Sequence, residues 1–134
     1  MNSMIITLVL LTNVLNFEVV TTQSSRERGM MYRTNWGRID GMIFVHPASG
    51  PVTYWMRNTP LSMAICYADP DLNIMEVYMG NPYSTALIPS SNTNIRFVLE
   101  LNPVMTNLIF KNYDYLKPRL KSELREKVRK IDID

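Results

Sequence analysis

Cysteine and histidine each occur only once in this sequence, and their scarcity excludes several kinds of site. Cys66 is alone, so the chain can form neither an intramolecular disulfide nor a cysteine-rich metal cluster. His46 is the only histidine, so one chain cannot supply two imidazole ligands to a metal, and any nucleophilic dyad or triad would depend on it. We therefore expect no metal and no cofactor. A lone thiol favours a cytoplasmic or otherwise reducing compartment.

Long apolar runs and glycine-rich phosphate loops are also missing. No segment approaches the ~20 apolar residues that a helix needs to cross a bilayer, and no loop has the Walker or Rossmann glycine spacing. Residues 4–11 resemble the apolar core of a secretion signal, but no Lys or Arg precedes them and no small-x-small cleavage site follows. We expect no membrane span and interpret this run as a strand, with a secretion signal as the alternative.

Positive charge is concentrated towards the C-terminal end. Residues 111–134 carry eight basic and five acidic side chains, whereas residues 1–110 carry six basic and seven acidic ones. Apolar side chains recur there at every fourth position, which predicts a basic amphipathic helix over residues 118–130. The helix could lie on the rest of its own chain, dock onto a partner or a second copy, or contact nucleic acid, which the low overall charge makes the weakest option. The partner-binding candidates are Leu116, Leu120, Leu124, Arg125 and Val128.

The remaining sequence has the short alternating runs that are typical of β-strands. Residues 4–11 and 15–21 predict a hairpin, and residues 41–45, 52–56, 61–68, 74–79 and 95–101 predict five further strands. Ser24 and Glu27 form a capping-box pattern, which predicts a short helix over residues 25–28 that Gly29 ends. About seven short strands with little helix favour a mostly β, barrel-like single domain over residues 1–110. Residues 111–134 would then form a helical extension.

Three short motifs occur in a fixed order, and a fourth follows them. They are Arg26-Glu-Arg-Gly-Met-Met-Tyr-Arg33, Gly41-Met-Ile-Phe-Val45, Tyr54-Trp-Met-Arg-Asn-Thr59 and Phe97-Val-Leu-Glu100. Together they resemble the pattern of the domain-of-unknown-function 192 family, over about residues 16–103. The resemblance implies a small, mostly β, barrel-like protein without an assigned activity. Ser62 and Ala64 stand where that family usually carries Pro and Asp, so an activity that depends on this acid is not expected.

The polar members of these motifs are the candidate ligand-binding residues. Arginine presents a planar fork suited to carboxylate or phosphate, so the group could line a pocket for a small anion. Alternatively, the group could form an internal ion-pair network, in which Arg33 or Arg57 pairs with Glu100. Trp55 could stack on a ligand or anchor the core. The candidates are Arg28, Arg33, Trp55, Arg57, Asn58, Thr59 and Glu100.

Three functional hypotheses follow from these patterns. The first is a non-enzymatic binding or structural domain that uses either the motif cluster or the terminal helix. The second is a hydrolase-like enzyme in which Glu100, or Asp69 with Asp71, acts with Arg57. It requires a concave pocket that holds an acid with a raised pKa. The third is a subunit of a larger assembly, such as a viral particle, attached through the C-terminal helix.

Overall fold

The structure, a computed structural model, describes residues 4–129 and 133–134. This part of the chain forms eight strands and three helices. The strands are β1 (Met4–Leu10), β2 (Asn13–Val20), β3 (Gly41–Gly50), β4 (Thr53–Tyr54), β5 (Met63–Ala68), β6 (Ile74–Gly80), β7 (Ile88–Pro89) and β8 (Ile95–Leu101). The helices are α1 (Gln23–Arg28), α2 (Pro103–Lys111) and α3 (Tyr113–Val128).

Six strands form one mixed sheet in the order β1-β2-β3-β8-β5-β6, and β4 pairs with β7 in a second, two-stranded sheet. The pairing of β2 with β3 is parallel, whereas the other pairings in the large sheet are antiparallel. The mostly β prediction is confirmed. The large sheet is open rather than closed into a barrel, because β1 and β6 lie at its two edges and helices cover one of its faces.

A separate apolar layer lies on each face of the large sheet, as expected of a layered domain. On one face, Ile6, Leu8 and Leu10 of β1 pack with Leu116, Leu120 and Leu124 of α3. The other face carries Met42 and Phe44 of β3, Ile65 and Tyr67 of β5, and Val98 of β8. The period-two alternation of β1 explains its placement, because Ile5 and Val9 between the buried positions are exposed.

Helix α1 is predicted correctly in position, but its cap differs from the prediction. The N-cap is Thr22 rather than Ser24, and the capping box pairs Thr22 with Ser25 instead of using Glu27. Ser25 can take this role because its hydroxyl accepts from the Thr22 backbone N–H at 3.0 Å. Gly29 ends the helix at φ 47°, a conformation that favours glycine.

The structure corrects the C-terminal part of the prediction. The predicted helix over residues 118–130 starts earlier, at Tyr113, so Pro118 lies inside α3 rather than in its first turn. A further helix, α2, starts directly after β8. The side chain of Asn102 caps α2 by accepting from the Val104 backbone N–H, and Pro103 occupies the first turn, where its missing N–H costs nothing. Residue 130 of the predicted helix lies outside the described residues.

Strand β3 is longer than expected. Proline and glycine at positions 47 and 50 are typical of a turn, but the strand continues through Pro47 to Gly50. Its register with β8 shifts between Val45 and Gly50, so Pro47 and Gly50 mark an irregularity within a strand rather than the end of one. The predicted strand over residues 52–56 is reduced to the two residues of β4.

Candidate functional site

Glu100 is held inside the protein by its position on a central strand. Strand β8 lies between β3 and β5, and Glu100 is opposite Met42 on one side and Ile65 on the other. Both neighbours are fully buried on the face that is not covered by α2 and α3. The glutamate shares that face because paired residues in a sheet point the same way. As a result, only 4% of Glu100 is exposed.

Above Glu100 lies a cavity of about 220 Å³, which we call the Glu100 cavity. Helix α1 and the segment after it form one wall, and β3 and β4 form the other. The lining residues are Gln23, Arg26, Glu27, Arg28, Gly29, Met30, Met31, Phe44, His46, Thr53, Tyr54, Trp55, Thr59 and Glu100.

The carboxyl group of Glu100 has no side-chain hydrogen bond or ion pair with any of residues 4–129 and 133–134. None of the fully enclosed polar side-chain atoms in that part of the chain lacks a partner, so the oxygens of Glu100 retain access to the cavity. Burial raises the pKa of the Glu100 carboxyl group from 4.5 to about 8, because desolvation penalises the ionised form. The carboxyl group is therefore mostly protonated at neutral pH.

Arg26 lies at the wall of the cavity and is fixed in place by the backbone. Its Nη1 group donates to the carbonyl oxygen of Thr21 at 2.9 Å and to that of Val45 at 3.0 Å. Its Nε and Nη2 groups have no hydrogen-bond partner among the described residues. A guanidinium that is anchored on one side with donors remaining on the other is pre-organised to bind an acceptor.

An aromatic cluster forms the opposite wall. The rings of Phe44 and Tyr54 meet edge to face with centroids 5.2 Å apart, and the Tyr54 hydroxyl lies 2.8 Å from Nε2 of His46. Burial, together with the positive charges of Arg26 and Arg96, lowers the pKa of His46 to about 4. His46 is therefore neutral at physiological pH and adds no charge to the cavity.

Four of the seven predicted ligand-binding residues line this cavity: Arg28, Trp55, Thr59 and Glu100. Arg28 is exposed at the rim, and Trp55 is 39% exposed. Thr59 is buried, and its hydroxyl donates to the Arg57 carbonyl oxygen at 3.0 Å. The motifs thus bring together residues that are far apart in sequence.

The other three predicted residues lie elsewhere. Arg57 stacks over the Trp55 ring, with its guanidinium carbon 5.3 Å from the ring centroid. The Asn58 amide donates to the Tyr32 hydroxyl at 3.1 Å. The expected pairing of Arg33 or Arg57 with Glu100 is wrong, because Arg33 instead forms two hydrogen bonds, of 2.8 and 3.0 Å, with Glu18 on β2.

Sequence reasoning missed several lining residues, of which Arg26 and His46 matter most. Arg26 is the first residue of the first motif, so its position in the motif is a signal that could indicate a role. Nothing in the local sequence places His46 beside Tyr54, because their contact depends on the fold of β3 against β4.

The partner-binding candidates of α3 lie mainly within this chain. Leu116, Leu120 and Leu124 are buried against the large sheet, and Val128 is half-buried. Arg125 is exposed and lines a shallow groove beside Phe97. The apolar stripe therefore contributes to the core of its own domain.

Within residues 4–129 and 133–134, no three His, Cys, Asp or Glu side chains come close enough together to hold a metal ion. None of the helices in that part of the chain is both long enough and apolar enough to cross a membrane.

The fold and cavity define a small mixed β-sheet protein with a buried acid beneath an arginine-bearing helix, and comparisons identify its family. The sequence profile of the DUF192 family, described as "Uncharacterized ACR", matches residues 8–109. The chain therefore belongs to the domain-of-unknown-function 192 family, as its motifs predicted, and that family has no assigned function. A comparison with curated proteins finds no match.

Two solved structures are similar to this chain. One, from Sinorhizobium meliloti 1021, is described as a candidate transcription regulator; it is 33% identical, has a TM-score of 0.65, and the match covers 72% of this chain and 75% of that one. The other, from Novosphingobium aromaticivorans DSM 12444, is described as a protein of unknown function. It is 26% identical, has a TM-score of 0.64, and the match covers 79% of this chain and 78% of that one.

Proposed function

We propose that this protein is a binding protein for a small molecule, which it holds in the Glu100 cavity. The observation that carries this proposal is the carboxyl group of Glu100, which is buried at the cavity without a partner among the described residues. Burying such a group without a compensating hydrogen bond costs on the order of 1–3 kcal/mol. A ligand that bonds to Glu100 would recover part of this cost.

The walls of the cavity support the same proposal. They combine apolar and aromatic side chains such as Met30, Phe44 and Trp55 with a few polar groups, which is the usual composition of a small-molecule site. A cavity of about 150 Å³ can hold benzene, so the volume of about 220 Å³ suits a molecule of roughly the size of one substituted aromatic ring.

Filling the mouth of the cavity is expected to weaken ligand binding. Thr53 is exposed on β4 and lines the cavity, so Thr53→Trp adds a bulky side chain there without disturbing the core, and β-strands accept Trp well. Small-molecule fragments identified by ligand-observed NMR should bind this variant at least about tenfold more weakly, a loss of ~1.4 kcal/mol.

The matched control for Thr53→Trp is Thr93→Trp. Thr93 is also an exposed threonine, but it lies in the loop before β8 and does not line the cavity. Fragment binding should be unchanged in this variant. If both tryptophan variants bind the fragments as well as the unmodified protein does, the Glu100 cavity is not the binding site.

Acid catalysis is a second candidate function, because Glu100 meets the requirement for an acid with a raised pKa in a concave site. The partners considered from the sequence lie elsewhere: Arg57 stacks on Trp55, and Asp71 pairs with Lys121 at 2.9 Å. Glu100 itself would therefore have to donate the proton to a leaving group.

Under this second hypothesis, Glu100→Gln should lower the turnover of simple ester or phosphoester substrates by roughly 100-fold or more while ligand binding persists. Turnover by the unmodified protein should also decline as pH rises through about 8, the pKa of Glu100. An unmodified protein without turnover across such a panel would remove catalysis and leave the binding function in place.

A further inference from the structure

The polar side chains that line the Glu100 cavity supply more hydrogen-bond donors than charged acceptors. Arg26 and Arg28 bring positive charge to the lining, and Glu27 at the rim offsets one of them. The Nε and Nη2 groups of Arg26 have no partner among the described residues. Glu100 adds a further donor because its protonated carboxyl group carries an O–H.

This inference rests on the proposed binding function and names the class of ligand. We propose that the ligand is a small organic acid with an apolar body, and that it binds as an anion while Glu100 remains protonated. The acid group of the ligand accepts hydrogen bonds from the guanidinium of Arg26. The O–H of the protonated Glu100 carboxyl group donates a hydrogen bond to an acceptor atom of the ligand.

The anchoring of Arg26 is the main structural support. Its Nη1 group is bonded to the carbonyl oxygens of Thr21 and Val45, so the guanidinium is held in one orientation before any ligand arrives. Pre-organisation of this kind lowers the entropy cost of binding, and Arg is the side chain whose geometry best matches a carboxylate. Met30, Phe44 and Trp55 supply apolar contacts for the rest of the molecule.

A cationic ligand fits the same lining less well. It would meet the positive charges of Arg26 and Arg28, and it would need Glu100 to lose its proton in a desolvated position. An anionic ligand instead leaves Glu100 protonated, which is the form that a desolvated position favours. The two alternatives therefore predict opposite dependence on pH.

Glu100 is the lining group that titrates between about pH 7 and 9.5. Burial lowers the pKa of His46 to about 4, and burial together with the charge of Glu100 raises the pKa of Tyr54 well above 10 and that of Cys66 to about 12. The charged and titratable groups around Glu100 are Arg26, Glu27 and Arg28 from α1, His46 from β3, Tyr54 from β4, and Cys66 and Tyr67 from β5.

The test uses three probes of nearly the same shape: benzoate, benzamide and benzamidine, which are anionic, neutral and cationic. Their dissociation constants for the full chain are measured by NMR titration, with shifts of cavity resonances as evidence of the binding site. Benzoate should bind roughly tenfold or more tightly than benzamide at about pH 7, with benzamidine the weakest. Benzoate should bind about 30-fold more weakly at pH 9.5 than at pH 7, because ionised Glu100 cannot donate and repels the anion.

Two variants test whether Glu100 causes the dependence on pH and whether Arg26 causes the preference for benzoate. Glu100→Gln replaces the titrating carboxyl group by a neutral amide, so the affinity of this variant for benzoate should not decline between about pH 7 and 9.5. Arg26→Lys keeps the charge but loses the fork, and the preference for benzoate over benzamide should fall by roughly tenfold. Circular dichroism and thermal unfolding confirm that each variant is folded before the comparison is made.

The outcomes separate the two proposals. If benzamidine binds best and more tightly as pH rises, the cavity is a ligand site but the assignment to organic acids is overturned. If benzoate binds with the same affinity at both pH values, the role of Glu100 as a donor is overturned. If all three probes and the wider fragment library fail to shift cavity resonances at millimolar concentration, the proposed binding function itself is overturned.

Discussion

Replacing Glu100 with glutamine is expected to stabilise the folded protein, and to do so increasingly as pH rises. The expected gain in the free energy of unfolding is on the order of 3 kcal/mol at about pH 7 and 5 kcal/mol at about pH 9. Glutamine fills nearly the same volume and stays neutral at every pH. The measurement is urea-induced unfolding of both proteins at several pH values between about 4.5 and 9.

The direction of this change in stability follows from the pKa of Glu100 in the folded and unfolded states. The pKa is about 8 in the folded protein, against an ordinary value of 4.5 when the chain is unfolded. Between these values the folded state binds more protons than the unfolded state, so stability falls as pH rises. Below about pH 4.5 the carboxyl group is protonated in both the folded and the unfolded state. The stabilities of the two proteins should then change with pH in the same way. Parallel stability profiles for the two proteins would contradict the buried, desolvated position of Glu100.

Glu76 on β6 provides a control, because replacing it with glutamine should have the opposite effect on stability. Although some burial opposes the shift, hydrogen bonds from the Tyr78 hydroxyl and from Ser91 and Asn92 lower the pKa of Glu76 to about 2. Its contribution to stability is present above its ordinary pKa of 4.5 and is lost as pH falls towards 2. Glu76→Gln should therefore destabilise the protein at neutral pH, whereas Glu100→Gln stabilises it.

Gly41→Ala is expected to destabilise the protein by about 3 kcal/mol, although glycine-to-alanine changes within strands usually stabilise. A Cβ at Gly41 would lie 2.7 Å from the backbone oxygen of Glu100 and 2.9 Å from a methyl carbon of Leu101. Backbone atoms of a central strand cannot move aside as a flexible side chain can, so β3 and β8 would have to separate. The change would appear as a lower urea midpoint with an unchanged slope.

Gly50→Ala is the matched control on the same strand. Among the described residues, no heavy atom beyond its two chain neighbours lies within 4 Å of the position that its Cβ would occupy, so the substitution should be neutral or stabilise by up to ~1 kcal/mol. If Gly41→Ala is as stable as Gly50→Ala, the close approach of β3 to β8 is not maintained in solution. Because Gly41 contacts the backbone of Glu100, Gly41→Ala should also weaken ligand binding in the cavity.

The sequence predicts most of the large sheet because its strands have clear local patterns. Strands β1, β2, β5, β6 and β8 are close to their predicted bounds, since each is an apolar or alternating run bounded by turn residues. The two-residue strands β4 and β7 have no such pattern, and their pairing depends on contacts between distant segments. The sequence does not predict α2, because Pro103 after Asn102 indicates the end of β8 as readily as the start of a helix.

The candidate site is also hard to predict, because it too depends on contacts between distant segments. The motifs identify Glu100, Thr59 and Trp55, because residues that recur in a family pattern often share one place in the fold. The partner of Arg33 could not be predicted, because Glu18 lies outside the motifs and reaches Arg33 only through the parallel pairing of β2 with β3. Sequence spacing carries no information about such a crossover.

The packing of α3 against β1 has a consequence for how the protein is made. Ile6, Leu8 and Leu10 are covered by Leu116, Leu120 and Leu124, which are separated from them by most of the chain. Contacts over such a span form late, because a long loop must close first. A nascent chain on the ribosome therefore presents a bare apolar strand until residues 116–124 have emerged, and exposed apolar strands of this kind are prone to aggregation.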